Sequence, residues 1–454
     1  MTGSVSRKGV GCKLVPLALQ QSWALSHGLE QSRFIQFQSQ RVRGCLDSIL
    51  LKKSFESVVA RHEALRTKFV TSDRELTQQI GELPEFGWRQ QRISQGDSQA
   101  SESETQMILK ELFDAPFDLA AGPLLQVALI EIGSNDCVLA VKVHHMICDG
   151  LSMNILMQDL WSLYAGSERA SPELFPYPAS QYSDYVAIQH GPDSVTLLDQ
   201  EEYWRKQLIG VSAPVLPIIG SAADAAQNES QYSYKLLDAN VSARVYEVAR
   251  VQKVTPLIVV LSAYACVLAH WVGQTDFIIP VVISGRTDSA HAGTIGLFAT
   301  HLPVRIAVAG ETLVSELQKM LYCTFLEAQR YVGAKFWRLV GEYEDVFSGA
   351  SLNWVPLSDP ARLVPWRRQN EFPIVEEFTF KYFRPCKLTR AIETLCFAEN
   401  DRIGFLVQYK AGLFDASVMD RFSAALSAAV GSIVAVPSST VSSLGEVVRA
   451  VMAV

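Results

Sequence analysis

Residues 136 to 164 constrain the fold most. Asp136 to His145 alternates with the period of a strand, and Leu151 to Tyr164 then sets Leu156, Leu160, Leu163 and Tyr164 on one helical stripe before Gly166 stops it. Between strand and helix stands His144-His145-Met146-Ile147-Cys148-Asp149-Gly150. Side chains alternate along a strand, so His145 shares a face with Leu139, Val141 and Val143, while His144 goes with Val138, Ala140 and Lys142. This parity predicts His145 on the apolar side. Partial desolvation there disfavours the imidazolium and keeps a lone pair available near neutral pH, as a general base needs. Adjacent strand histidines point apart and do not readily share a metal, so no metal site is expected. Gly150 permits the backbone turn from strand into helix. Asp149 is suited to orienting a histidine, capping the helix or holding a distant arginine, and the residues alone leave all three open.

The rest of the chain also reads as mixed helix and strand. Leu46, Leu50, Leu51, Phe55, Val58, Val59 and Leu65 recur at helical spacing, and the pattern turns strand-like at Thr67, Lys68 and Phe69. Gly166 to Ser180 holds three prolines with Gly and Ser and no periodicity, which marks a crossing between two lobes, 1–178 and 179–454. In the second lobe Phe277 to Ile283 reads as an apolar strand, Leu313 to Tyr331 as helix, and Asp415 as the cap of a helix over Ala416 to Ala429. The predicted class is α/β (α+β two-layer). Pro256 to Val272 is apolar but falls short of the roughly 20 residues a membrane span needs. With Thr255 as cap and Pro256 at the first helical position, it is expected to be a buried helix.

Composition narrows the partners. A hydrophobic share of 48% with 19% charged residues suits a large buried core. Lys plus Arg is 40 against Asp plus Glu 47, a net charge of -7 that gives no general attraction to nucleic acid. Eight cysteines, Cys12, Cys45, Cys137, Cys148, Cys266, Cys323, Cys386 and Cys396, lack any C-x-x-C pair, which fits reduced thiols in a cytoplasm rather than a zinc knuckle or a secreted disulfide framework. Leu14 to Leu19 is a poor signal peptide, being short and broken by Pro16. No nucleic-acid or membrane partner is expected, and the location expected is cytoplasmic.

A His-His pair in a buried strand is more often a core feature than a catalytic one; its spacing to Asp-Gly reverses that weighting. His144-His145-Met146-Ile147-Cys148-Asp149-Gly150 resembles the H-H-x-x-x-D-G signature of the condensation domains of nonribosomal peptide synthetases. Arg61-His-Glu-Ala-Leu-Arg-Thr-Lys-Phe69 resembles that family's R-H-E-x-L-R-T-x-F, and Pro16-Leu-Ala-Leu-Gln-Gln-Ser-Trp23 its opening motif, in which a Gln and an aromatic residue recur. Tyr182-Ser-Asp-Tyr185, Tyr203-Trp204, Gly273-Gln-Thr-Asp276, Ser284-Gly-Arg286, Ile295-Gly-Leu-Phe298, Leu302-Pro303 and Leu413-Phe-Asp415 are similar to further family segments. The resemblance spans about residues 15 to 425.

The resemblance implies two chloramphenicol acetyltransferase-like lobes in a V-shaped pseudo-dimer with a central tunnel. Acyl or peptidyl carrier proteins would bring donor and acceptor on phosphopantetheine arms, and the chain itself would bind no cofactor. His145, with His144, Asp149 and Gly150, would form the catalytic motif. The acyl group would pass directly to an amine or hydroxyl, which agrees with the absence of a G-x-S-x-G nucleophile elbow. Asp149 would pair with Arg286, and a backbone N–H near Gly150 would stabilise the oxyanion. A monomer is expected, free-standing if the chain is complete, with a free small-molecule acceptor as an alternative to a carrier-bound one.

Departures from the family pattern touch the second lobe. Pro280 stands within a strand where the family has Gly, and Phe298-Ala-Thr-His-Leu302 replaces F-V-N-T-L, so Thr300 or His301 would line the tunnel in place of an Asn. Ser351 and Asn353 are further expected pocket residues. Trp23, Trp161, Trp204 and Trp271 read as core, His62 and His270 as structural, and Trp366-Arg367-Arg368 as a solvated turn or, less readily, a carrier-facing patch. Three rival activities stand beside condensation. The first is an acyl-CoA-dependent acyltransferase, against which the D-F-G-W motif of the plant enzymes is missing. The others are a non-catalytic docking module and an epimerase.

Overall fold

The computed structural model describes residues 12–29, 34–72, 74–93, 98–166, 180–191, 195–220, 230–332, 347–355, 374–377, 388, 390–399 and 402–453. Most of the Gly166 to Ser180 crossing and all of Trp366-Arg367-Arg368 lie outside these residues. The chain forms two compact units, 1–191 with 288–298 and 358–384, and 192–287 with 299–357 and 385–454. This differs from a single break after residue 178. Helix Tyr182–Gln189 belongs to the first unit because Gln181 bonds to Arg61 O and Glu63 N, and Ser183 to Glu63. A strand at 374–377 returns to the first unit by pairing with Ile35–Arg43.

In the first unit β1 (Lys13–Val15), α1 (Leu19–Ser26), β2 (Ile35–Arg43), α2 (Ser48–Arg61), β3 (Thr67–Ser72) and β4 (Glu75–Ile80) come first. They are followed by β5 (Gly87–Arg92), α3 (Ser98–Asp114), β6 (Leu125–Gly133), β7 (Asp136–His144), α4 (Gly150–Gly166) and α5 (Tyr182–Gln189). The later β12 (Ile374–Glu377) completes a five-stranded sheet in the order β12-β2-β7-β6-β5, and β1-β4-β3 form a small second sheet. The central strand β7 is covered on both faces. Ile108, Leu109 and Leu112 of α3 pack with Ala128, Ile130, Val138 and Ala140 on one face. On the other, Trp161 of α4 donates its indole N–H to Gln40 of β2, whose register partner is Leu139.

The second unit contains α6 (Val195–Leu208), β8 (Ser230–Leu236), α7 (Ala239–Gln252), α8 (Pro256–Val272), β9 (Asp276–Ile283) and β10 (Thr300–Ala307). It continues with α9 (Val314–Arg330), β11 (Ala350–Trp354), β13 (Ile392–Glu399), β14 (Arg402–Lys410), α10 (Ala416–Ala435) and α11 (Val441–Met452). Its sheet runs β10-β9-β11-β13-β14-β8. Helix α8 starts as its sequence requires, with Thr255 accepting from Ile258 N and Pro256 in the first turn, and every residue from Ile258 to Ala269 is buried. Among the described residues one helix, α10, is long and apolar enough to cross a membrane; half of its apolar window is buried, and it packs against α8 and α11. Pro280 sits in register with Pro303, so β9 and β10 each lack an N–H at the same rung of their ladder.

Candidate active site at the turn between β7 and α4

The strand β7 ends at His144, and His145 to Ile147 form one turn of 3-10 helix before Gly150 opens α4. His145 therefore stands one residue past the strand, and strand parity does not set its environment. The face assigned to Lys142 and His144 is no more solvated than the other: Lys142 is 1% exposed and His144 2%. Lys142 is accommodated because its ammonium bonds the carbonyls of Leu112 (2.9 Å) and Ala115 at the C-terminal end of α3 and lies 4.6 Å over the Phe117 ring.

Backbone bonds immobilise the turn. His144 N donates to Leu124 O (2.9 Å), His145 N to Phe34 O (2.8 Å), and Asp149 N to Gly296 O (3.1 Å). Met146 N donates to His144 Nδ1 at 3.2 Å, so His144 Nδ1 carries a lone pair. Burial, with help from the neighbouring His145 and Lys142, pushes the His144 pKa down to about 3. His144 Nδ1 thus serves as an acceptor for the backbone of the turn. The His145 ring stacks flat on Phe34, centroids 4.3 Å apart and planes 9° from parallel. Its Nδ1 is buried with no hydrogen-bond partner among the described residues. Burial lowers the His145 pKa, while Asp149 and the residue's own backbone carbonyl oppose that shift. The ring is held neutral, as a proton acceptor must be.

Asp149 is 1% exposed. Its Oδ1 accepts from Ser152 N (2.8 Å), capping α4, and its Oδ2 accepts from Phe298 N (3.0 Å). Ser152 Oγ grips the same segment at both ends of a residue, donating to Gly296 O (2.8 Å) and accepting from Gly296 N (3.0 Å). Tyr182 OH donates to Leu297 O (2.8 Å). The strap 296–298 is thereby sewn to the first turn of α4. An amide at position 149 would keep one acceptor and turn a donor toward Ser152 N or Phe298 N. Asp149→Asn is therefore expected to cost about 2 kcal/mol, seen as a lower urea midpoint at unchanged slope.

The other expected site residues lie in the second unit. Arg286 follows β9, and its Nη1 donates to Ser284 O at 3.4 Å. Across the sheet His301 is in register with Val282, and Val282 with Asn353, so His301, Asn353 and, two residues back, Ser351 share one face. Thr300 projects from the opposite face, buried, with its hydroxyl lacking a hydrogen-bond partner among the described residues. His301 Nε2 lies 3.1 Å from Nη1 of the buried Arg390. The residues around the turn that sequence reasoning did not assign are Phe34, Ser152 and the paired roles of Tyr182 and Gly296. Ser152 had a signal, as the hydroxyl residue three after a helix cap; Phe34 had none, because only the antiparallel register of β2 and β7 sets it beside His145.

Residues 13–450 match the sequence profile of the condensation domain. A linear gramicidin synthase of Brevibacillus parabrevis is 29% identical over 448 residues, 95% of this chain. The chain spans only 6% of that relative's length. The fold is that of SgcC5 from Streptomyces globisporus (TM-score 0.79, 20% identity, covering 94% of this chain and 100% of that one). It is also that of the X-domain from teicoplanin biosynthesis (TM-score 0.75, 21% identity, 97% and 98%). A sequence match over nearly the whole length, together with a histidine turn built and braced as described, places this chain in the condensation-domain family.

Proposed function

We propose that the protein transfers an acyl group from a phosphopantetheine thioester on a carrier protein to an amine or hydroxyl nucleophile, forming an amide or ester. The observation that carries this reading is the His145 ring, stacked on Phe34 in a turn whose backbone is pinned on both sides, where burial lowers its pKa. His145 takes the proton from the nucleophile as its nitrogen or oxygen attacks the thioester carbonyl. The tetrahedral oxyanion then collapses, the carbon–sulfur bond breaks, and the leaving thiolate recovers the proton from the imidazolium. Gly150 opens α4, so its N–H belongs to a first turn with no intrahelical acceptors, at the positive end of the helix dipole. That N–H suits the developing oxyanion. Similarity to a segment of a gramicidin synthase supports delivery of both partners on carriers.

The test offers the protein one acyl group in two forms, as a carrier thioester and as a coenzyme A ester, with carrier-bound and free nucleophiles, and reads products by intact mass. Product from the carrier thioester alone, or at least about tenfold faster than from the CoA ester, is expected, the carrier supplying binding energy remote from the reacting carbon. Equal or exclusive use of the CoA ester would reverse the donor assignment. Loss of α-deuterium from a carrier-bound residue without bond formation would mark an epimerase, and inertness toward every donor a docking module.

A further inference from the structure

The opening motif places Gln21 in the third residue of α1, far in sequence from the histidine turn, and the function proposed above gives it no part. Its side chain is completely buried. Each polar atom is nevertheless used: Oε1 accepts from Ala18 N (2.8 Å), and Nε2 donates both to Gln78 Oε1 (3.0 Å) and to Met146 O (2.8 Å). Gln78, on β4, in turn donates Nε2 to Pro16 O (2.8 Å). A relay of two buried amides thus runs from the β1–α1 connection, through β4, to the carbonyl of the residue that follows His145.

Met146 O points out of a one-turn 3-10 helix, too short to satisfy its own carbonyls. Gln21 supplies the donor that this carbonyl would otherwise lack in a buried place. A hydrogen bond between buried groups is costly to leave unmade, so the relay holds the Met146–Ile147 peptide, one residue past His145, in one orientation. His145 N is fixed from the other side by Phe34 O. We propose that Gln21, backed by Gln78, is a positioning residue that sets the aim of the His145 ring; this rests on the reading of His145 as the base.

The test uses the whole chain, with carrier-bound donor and acceptor for turnover and the carbon-13 resonances of the histidine rings as a readout independent of turnover. Gln21→Met keeps the length and removes the donor. Its kcat is expected to fall by about tenfold to a hundredfold with KM within about threefold, the signature of a misplaced catalytic group rather than lost binding. The His145 ring signal is expected to shift or broaden. Gln21→Glu provides the conservative check. As a buried carboxylate it cannot donate to Met146 O, but burial raises its pKa, and once protonated it donates again. Its deficit relative to the parent is therefore expected to shrink as pH is lowered from 8 toward about 6. A folded Gln21→Met protein with parental kcat, or with an unmoved His145 resonance, would overturn the proposal. Should that variant not fold, a pH-independent deficit in Gln21→Glu would do so. An active His145→Ala protein would defeat the reading of the base instead, and the resonance would still decide whether Gln21 positions the ring.

Discussion

His145→Ala is expected to lower carrier-dependent acyl transfer by about two to four orders of magnitude, the usual worth of a positioned general base. The fold should survive, because the ring stacks on Phe34 and such an aromatic contact is worth about 1 kcal/mol. The pH profile separates loss of a base from loss of shape. Burial lowers the His145 pKa below its ordinary 6.5, so the imidazole is neutral and competent above that value and becomes protonated as pH falls through its shifted one. The parent's kcat/KM should accordingly be flat near neutrality and decline only below 6.5. His144, held at about 3, does not titrate in this range and cannot produce that limb. The alanine variant should lose the limb together with the rate. Retention of most of the rate, or of an unshifted limb, would place the proton acceptor elsewhere.

Gly296→Ala is the second large effect, and it acts through the strap. A Cβ at Gly296 would stand 2.1 Å from Cδ2 of the Tyr182 ring and 2.5 Å from Cε2, well inside contact distance. The ring has little freedom to retreat, since its hydroxyl is bonded to Leu297 O and it packs against Phe298, centroids 5.1 Å apart and edge to face. Either the ring swings away and breaks that bond, or residue 296 moves and loses its two bonds to Ser152 and the one to Asp149 N. A loss of about 3 kcal/mol is expected, at the upper end for an overpacked buried site, with activity falling as the first turn of α4 loosens. Tyr182→Ala supplies the control. In that background the added methyl has room, so the further cost of Gly296→Ala should drop below about 1 kcal/mol, a coupling that a double-mutant cycle by urea denaturation resolves. Additive costs would show that the ring does not restrain residue 296.

The strand, turn and helix around His144 to Gly150 were legible because each obeys a local rule: period two in β7, helical period in α4, and a glycine at the bend. The same holds for the capped, proline-led helix α8. Family resemblance was equally readable, since it rests on short motifs whose residues are adjacent in the chain. Parity, by contrast, misdescribed the face that carries Lys142 and His144. It assumes one wet and one dry face, whereas α3 closes over Lys142 and lends its terminal carbonyls to the ammonium. Three roles for Asp149 were open in the sequence. Tertiary structure showed it capping α4 and holding Phe298 N, a donor from a segment nearly 150 residues away in the chain. Gln21 and Phe34 meet the histidine turn in the same manner, across long separations. Sequence by itself thus determined the family motifs and the secondary structures that carry them, because propensity and periodicity are properties of neighbours along the chain. Only tertiary structure decided what braces them, because hydrogen bonds and ring stacking depend on distances in space that no local pattern encodes.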